Sequence, residues 1–128
     1  MPESTRSIRE EAIRRAREQA GQRRSLFVPE WNATVHARGC VSVADNLKYH
    51  RTGSTADAES GEITVHLSEV MVAALLDKLE DESGAPAFRP EDRDFLLHEV
   101  EADLVGRLYA FVRGEADLSP KKLSVKVG

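Results

Sequence analysis

A chain of 128 residues has room for one domain of ordinary size and not for two with separate cores. Its residues are 41% hydrophobic and 31% charged, which describes a globular chain, but only 5% are aromatic, so the core must rest on Leu, Val and Ala and stays marginal until a partner adds buried surface. The net charge of -4 and a pI of about 5.6 argue against a general nucleic-acid binder. Cys40 is the only cysteine, so no internal disulfide forms and a reducing cytoplasm is expected; no run of about 18 apolar residues spans a membrane, and the Arg- and Glu-rich start lacks the apolar core of a signal peptide.

Residues 4 to 20 predict a helix capped by Ser4 or Thr5, with Glu10, Glu11, Arg14 and Arg15 offering pairs four residues apart. Its apolar stripe is thin (Ile8, Ala12, Ile13, Ala16, Ala20), so the helix is expected to be mobile alone or to pack on a partner, and Gly21 stops it. The segment from Met1 to Arg24 holds seven Arg against four Glu, whereas Glu80 to Asp103 is dominated by carboxylates. Such asymmetry suits a protein that docks partners, or copies of itself, head to tail; the alternative is two solvated surfaces.

From Ser25 to Val43 the character turns β-branched and aromatic, with alternation across Thr34-Val35-His36-Ala37-Arg38. Pro29-Glu30-Trp31-Asn32 lies between two strand-like runs, which predicts a hairpin ended by Gly39. Trp31 at its tip is read as a lid over the core in preference to an exposed partner hot spot. Ser42 with Asp45 predicts the start of a short helix to about Arg51, with Val43, Leu47 and His50 as its inner face.

Thr52 to Gly61 reads as a flexible surface loop, and Ile63-Thr64-Val65-His66-Leu67 as a short strand. The apolar run from Ser68 to Leu79 fits a helix or a buried strand; length and alanine content favour a helix, and it is expected to be the centre of the core. An acidic turn follows over Glu80–Gly84, Phe88 anchors the next loop, and Arg89-Pro90-Glu91-Asp92 looks like a helix start. Phe95, Leu96, Val100, Leu104, Leu108 and Phe111 continue at helical spacing, with a break near His98 to Glu101 and an end at Gly114. Residues 115 to 128 predict a loose polar tail.

No reactive constellation emerges. His36, His50, His66 and His98 are isolated, no zinc spacing is present, and structural or surface roles are expected for all four, with His36 and His66 half-exposed on strands. Glu80-Asp81-Glu82 and Glu91, Asp92 and Asp94 sit where solvated acids belong for structural reasons. The expectation is a non-enzymatic protein without metal or cofactor.

The segment Leu26-Phe27-Val28-Pro29-Glu30-Trp31, followed by Thr34-Val35-His36-Ala37-Arg38 and a short helix, resembles the opening of the siphophage tail assembly chaperones. A second stretch is similar to the same family: Val72-Ala73-Ala74-Leu75-Leu76, the acidic turn to Gly84, Pro86-Ala87-Phe88, and Pro90-Glu91-Asp92. The resemblance covers roughly residues 25 to 118 and departs from the family in the long Arg-rich first helix, the insertion from Thr52 to Gly61 with the strand after it, and the polar start of the core run at Ser68-Glu69-Val70-Met71. It extends to prophages and gene transfer agents. It implies a helper in the bacterial cytoplasm, absent from the finished particle, that binds the tape measure protein and brings in the major tail protein. It also implies two product lengths made by a ribosomal slip. Pro120-Lys121-Lys122 is compatible with a slippery A run, and a simple basic tail is the alternative.

The expected architecture is α+β, with an N-terminal β-hairpin or small antiparallel sheet packed against several α-helices and a mainly helical C-terminal half. Residues 1–24 would form the Arg-rich helix, 25–114 the domain, and 115–128 the tail. Candidate partner-binding residues are Ile8, Ile13, Arg14, Arg17 and Trp31, with self-association as a further use of that surface and neither nucleic acid nor membrane as a partner. The rival readings are a structural tail or head-completion protein and a small bacterial interaction or regulatory module.

Overall fold

A computed structural model of the chain describes residues 7–114. The helix start at residue 4, the tail from 115 to 128 and the Pro120-Lys121-Lys122 stretch lie outside the described residues. The fold is α+β, with five α-helices and two separate two-stranded antiparallel sheets among the described residues.

Helix α1 covers Ile8–Gly21. Its cap is Ser7: the hydroxyl accepts the Glu10 N–H at 3.0 Å, and the Glu10 carboxylate accepts the Ser7 N–H at 3.2 Å. Arg14 pairs with Glu11 at 3.0 Å and Glu18 at 2.7 Å, not with Glu10 as expected. No residue of α1 is buried, and the helix ends where Gln22 turns extended.

Strands β1 (Arg23–Val28) and β2 (Ala33–Arg38) form the expected hairpin, in register from Arg23 opposite Arg38 to Val28 opposite Ala33. A 3-10 turn over Pro29–Trp31 makes the tip, closed by the Asn32 N–H donating to the Pro29 carbonyl. Asn32 takes the left-handed conformation, φ 47, that asparagine tolerates better than most residues. Strand β1 takes in Arg23 and Arg24, which the sequence had assigned to the helical segment. Val28, Val35 and Ala37 enter the core from this hairpin. On the far edge of β2, His36 exchanges backbone hydrogen bonds of 2.9 and 2.7 Å with Glu80.

Helix α2 (Val43–Thr52) starts on the foreseen cap, Ser42 and Asp45 bonding each other's backbone N–H at 3.1 Å. Its inner face differs from expectation. Val43 is 80% exposed and Leu47 is also exposed, while Tyr49 is buried. The reason is the partner helix: Tyr49 donates to Asp77 at 2.6 Å, and Asp45 pairs with Lys78 at 3.0 Å, so α2 meets its neighbour through an aromatic ring and ion pairs.

The stretch read as a loop after Thr52 is a second hairpin, β3 (Ser54–Ala56) with β4 (Ile63–Val65). Strand β3 has no apolar alternation, so its sequence carries no strand signal; backbone pairing supplies the ladder. The turn is held by Asp57, whose carboxylate accepts the Glu59 N–H at 2.8 Å, a bond that holds its pKa below the usual carboxylate range.

Helix α3 (Leu67–Lys78) is the predicted centre of the core and buries Val70, Val72, Ala74 and Leu75, with Leu79 just after it. It packs against α2 and against both later helices, which explains apolar residues around its whole circumference. After the acidic turn, a 3-10 turn over Pro90–Asp92 leads into α4 (Arg93–His98), and α5 (Ala102–Val112) follows the expected break. Helix α5 buries Leu104, Val105, Leu108, Phe111 and Val112, and Gly114 turns at φ 91.

Candidate partner-binding surface

Among the described residues, no three or more His, Cys, Asp or Glu side chains come together to hold a metal ion. His66 is exposed at the N-cap of α3, just beyond the strand in which it was expected to be half-exposed, and His98 is exposed at the end of α4. His36 is half-buried in β2 as expected, with its Nε2 buried and without a hydrogen-bond partner. Cys40 is exposed.

The structure does not gather the five candidate residues into one site. Ile13, Arg14 and Arg17 line a shared face of α1 with Glu10 and Glu18. Ile8 is 88% exposed, but it lies about two and a half turns from Arg17, on the opposite side of the helix. Trp31 is at the hairpin tip, the end away from α1, where its half-buried ring meets Phe88 edge-on at 5.7 Å. That is the lid position. Beside it Glu30 pairs with Arg107 of α5, and this contact holds the Glu30 carboxyl below its usual range.

Much of the positive charge near the hairpin is committed inward, which sequence reasoning missed. Arg24 donates to the carbonyls of Phe111, Gly39 (2.6 Å) and Val112 (3.3 Å), and its guanidinium stacks 5.0 Å from the Phe111 ring centre. It thereby caps the last turn of α5. Burial pushes its pKa down. Arg23 donates to the Asp81 and Glu82 carbonyls at 2.7 and 3.0 Å. Arg23 and Arg38 flank the Glu80 carboxylate at 3.7 and 3.6 Å, an ionic contact longer than a hydrogen bond, which leaves Glu80 Oε1 buried without a donor. These arginines latch the acidic turn to the open end of the hairpin.

The outward apolar groups lie elsewhere. Ile63 (70% exposed) and Val65 (49%) share one face of β4 because they are two residues apart, and Leu67 (61%) continues the row into the first turn of α3. Leu67 also lines an open groove of about 480 Å³ with His66, Ser68, Glu69, Arg93, Leu97 and His98. Glu69 and Arg93 form an ion pair within it. The alternation from Ile63 to Leu67 was visible in the sequence, but its exposure was not.

No family model matches the chain, and no curated protein matches it. A solved structure, the tail assembly chaperone of bacteriophage HK97, is similar to it at 16% identity and a TM-score of 0.47, over 83% of this chain and 95% of that one. No helix among the described residues is long and apolar enough to cross a membrane.

Proposed function

We propose that this chain is a non-enzymatic assembly helper that works by covering another protein's apolar surface. More specifically, it is a tail assembly chaperone of a long-tailed phage, prophage or gene transfer agent, acting in the bacterial cytoplasm on the tape measure protein and recruiting the major tail protein. The observation that carries this reading is that the two stretches resembling the family meet in space. Trp31 of the first packs against Phe88 of the second, and His36 of the first pairs through its backbone with Glu80 of the second. The two stretches thus belong to one structural unit, which supports reading them together.

The rest of the chain suits such work. Modest apolar groups on a charged surface permit reversible binding of a client's stripe without collapse of the helper onto itself. The test is co-expression with the tape measure protein encoded beside it, followed by pull-down. Soluble client recovered only when this chain is present supports the reading. A client that stays insoluble beside it, or this polypeptide found as a stoichiometric part of purified particles, overturns it.

A further inference from the structure

We infer that the client is received on the face formed by β4, the start of α3 and α4, and that the occupant is a basic amphipathic helix. The inference rests on the chaperone reading and names its surface. The row Ile63, Val65 and Leu67 runs from the second hairpin to the groove where Leu97 lies and supplies an exposed apolar track. A two-stranded hairpin with its larger side chains in water gains little from folding by itself, so the row is the natural place for added burial.

Charge selects the occupant. Between Asp57 and Asp103 the chain carries fourteen carboxylates against three cations, Lys78, Arg89 and Arg93. Lys78 is paired with Asp45 and Arg93 with Glu69. Glu62, next to Ile63, and Glu99, next to His98 of the groove, are exposed and have no cationic partner among the described residues. An apolar row bordered by unpaired carboxylates attracts a segment whose own apolar stripe is bordered by Lys or Arg, and repels an acidic one. Strand β4 keeps a free ladder edge among the described residues, which would suit an extended segment, but the apolar row continues past it into the open groove at Leu67 and Leu97, and that continuation matches a helix laid along the face.

The experiment uses the full chain and two labelled peptides of about 18 residues, long enough to form helix on binding. Both carry the same Leu stripe, one with Lys and the other with Glu at the remaining positions. Fluorescence anisotropy at low salt is expected to show the Lys peptide binding at least about tenfold tighter. The double variant Val65→Ser/Leu67→Ser, neutral and at exposed positions, is expected to weaken the Lys peptide about tenfold or more with unchanged circular dichroism. The variant Glu62→Lys/Glu99→Lys, which leaves the apolar row intact, is expected to narrow the preference between the peptides. Equal binding of the two peptides by the wild-type chain overturns the inference, as does full affinity in the Val65→Ser/Leu67→Ser variant. The same variant is then tested in the tape measure co-expression. If wild type and variant solubilise the client equally, the surface is wrong and the chaperone reading stands; if the wild type fails, the reading itself goes.

Discussion

Gly53 decides how α2, the second hairpin and α3 fit together, and replacing it with Ala tests that junction. Its backbone, φ -96 and ψ 16, is open to alanine. In free space Gly53→Ala would therefore stabilise the protein by about 0.4–1 kcal/mol, by narrowing the unfolded ensemble. The surroundings reverse the sign. A Cβ at this position would lie 2.8 Å from Val70 Cγ2, 2.9 Å from the Val70 nitrogen and 3.1 Å from the His66 carbonyl oxygen. Two of those atoms are backbone, so no rotamer change relieves them. The first turn of α3 must move, and the His66 N–H bond to the Gly53 carbonyl, 2.7 Å, moves with it. Overpacking of this kind costs about 1–3 kcal/mol, so the net loss is about 1–2 kcal/mol and Tm falls by roughly 5–15 °C. Urea denaturation followed by far-ultraviolet circular dichroism reads the midpoint. Gly106→Ala is the control: it sits inside α5 with nothing within 4 Å, and is expected to gain about 0.5–1 kcal/mol. A Gly53→Ala midpoint equal to or above wild type would refute the close-approach argument.

Three further outcomes are expected. Arg24→Met removes the donor fork from the last turn of α5 and lowers stability by about 1.5–3 kcal/mol in the same assay; Arg24→Lys restores little, because an ammonium cannot reach three carbonyls in one plane. Asp45 has its pKa held below the usual range, first by the Ser42 N–H and then by Lys78, so its stabilising contribution is complete above the unfolded carboxylate value of about 4 and is lost as pH falls through the folded one. The gap between wild type and Asp45→Asn should therefore narrow between about pH 7 and about pH 3, and a constant gap would count against the capping account. Deleting residues 1–22 should leave a cooperative unfolding transition, because α1 buries no residue, while weakening self-association; loss of the transition would put this helix in the core.

The elements legible in the sequence are those whose signal is local. The β1–β2 hairpin follows from alternation on both sides of Pro29-Glu30-Trp31-Asn32, and the α2 start from a serine three residues before an acid. Val72 and Leu75 needed only hydrophobicity to be placed in the core. The misreadings share a cause, which is that the deciding contact comes from far along the chain. Val43 and Leu47 have the spacing of an inner face, but Asp77 and Lys78 offer Tyr49 and Asp45 better partners, and the helix turns accordingly. Ser54-Thr55-Ala56 has no strand pattern until Ile63-Thr64-Val65 lies beside it. Arg23 and Arg24 looked like members of a free basic arm; their partners, Asp81 and Phe111, are more than fifty residues away.

That last misreading changes which surfaces are left for a partner. With Arg23, Arg24 and Arg38 turned toward carbonyls and Glu80, and Arg107 toward Glu30, four of the chain's eighteen Lys and Arg serve to hold the hairpin to the acidic turn and the helices. Among the carboxylates, Glu62 next to Ile63 and Glu99 next to His98 are exposed and have no cationic partner among the described residues. A net charge of -4 therefore understates the polarity that a partner meets. Long-range attraction should favour cationic clients in approach, and raised salt should weaken that step by screening attraction beyond a Debye length, about 8 Å at physiological ionic strength. The apolar row is not screened by salt, so release of a client seated on it should depend little on salt. On the proposed reading, steering by charge followed by burial of Ile63, Val65 and Leu67 would give both speed and reversibility, because neither contribution alone is large enough to make the complex permanent.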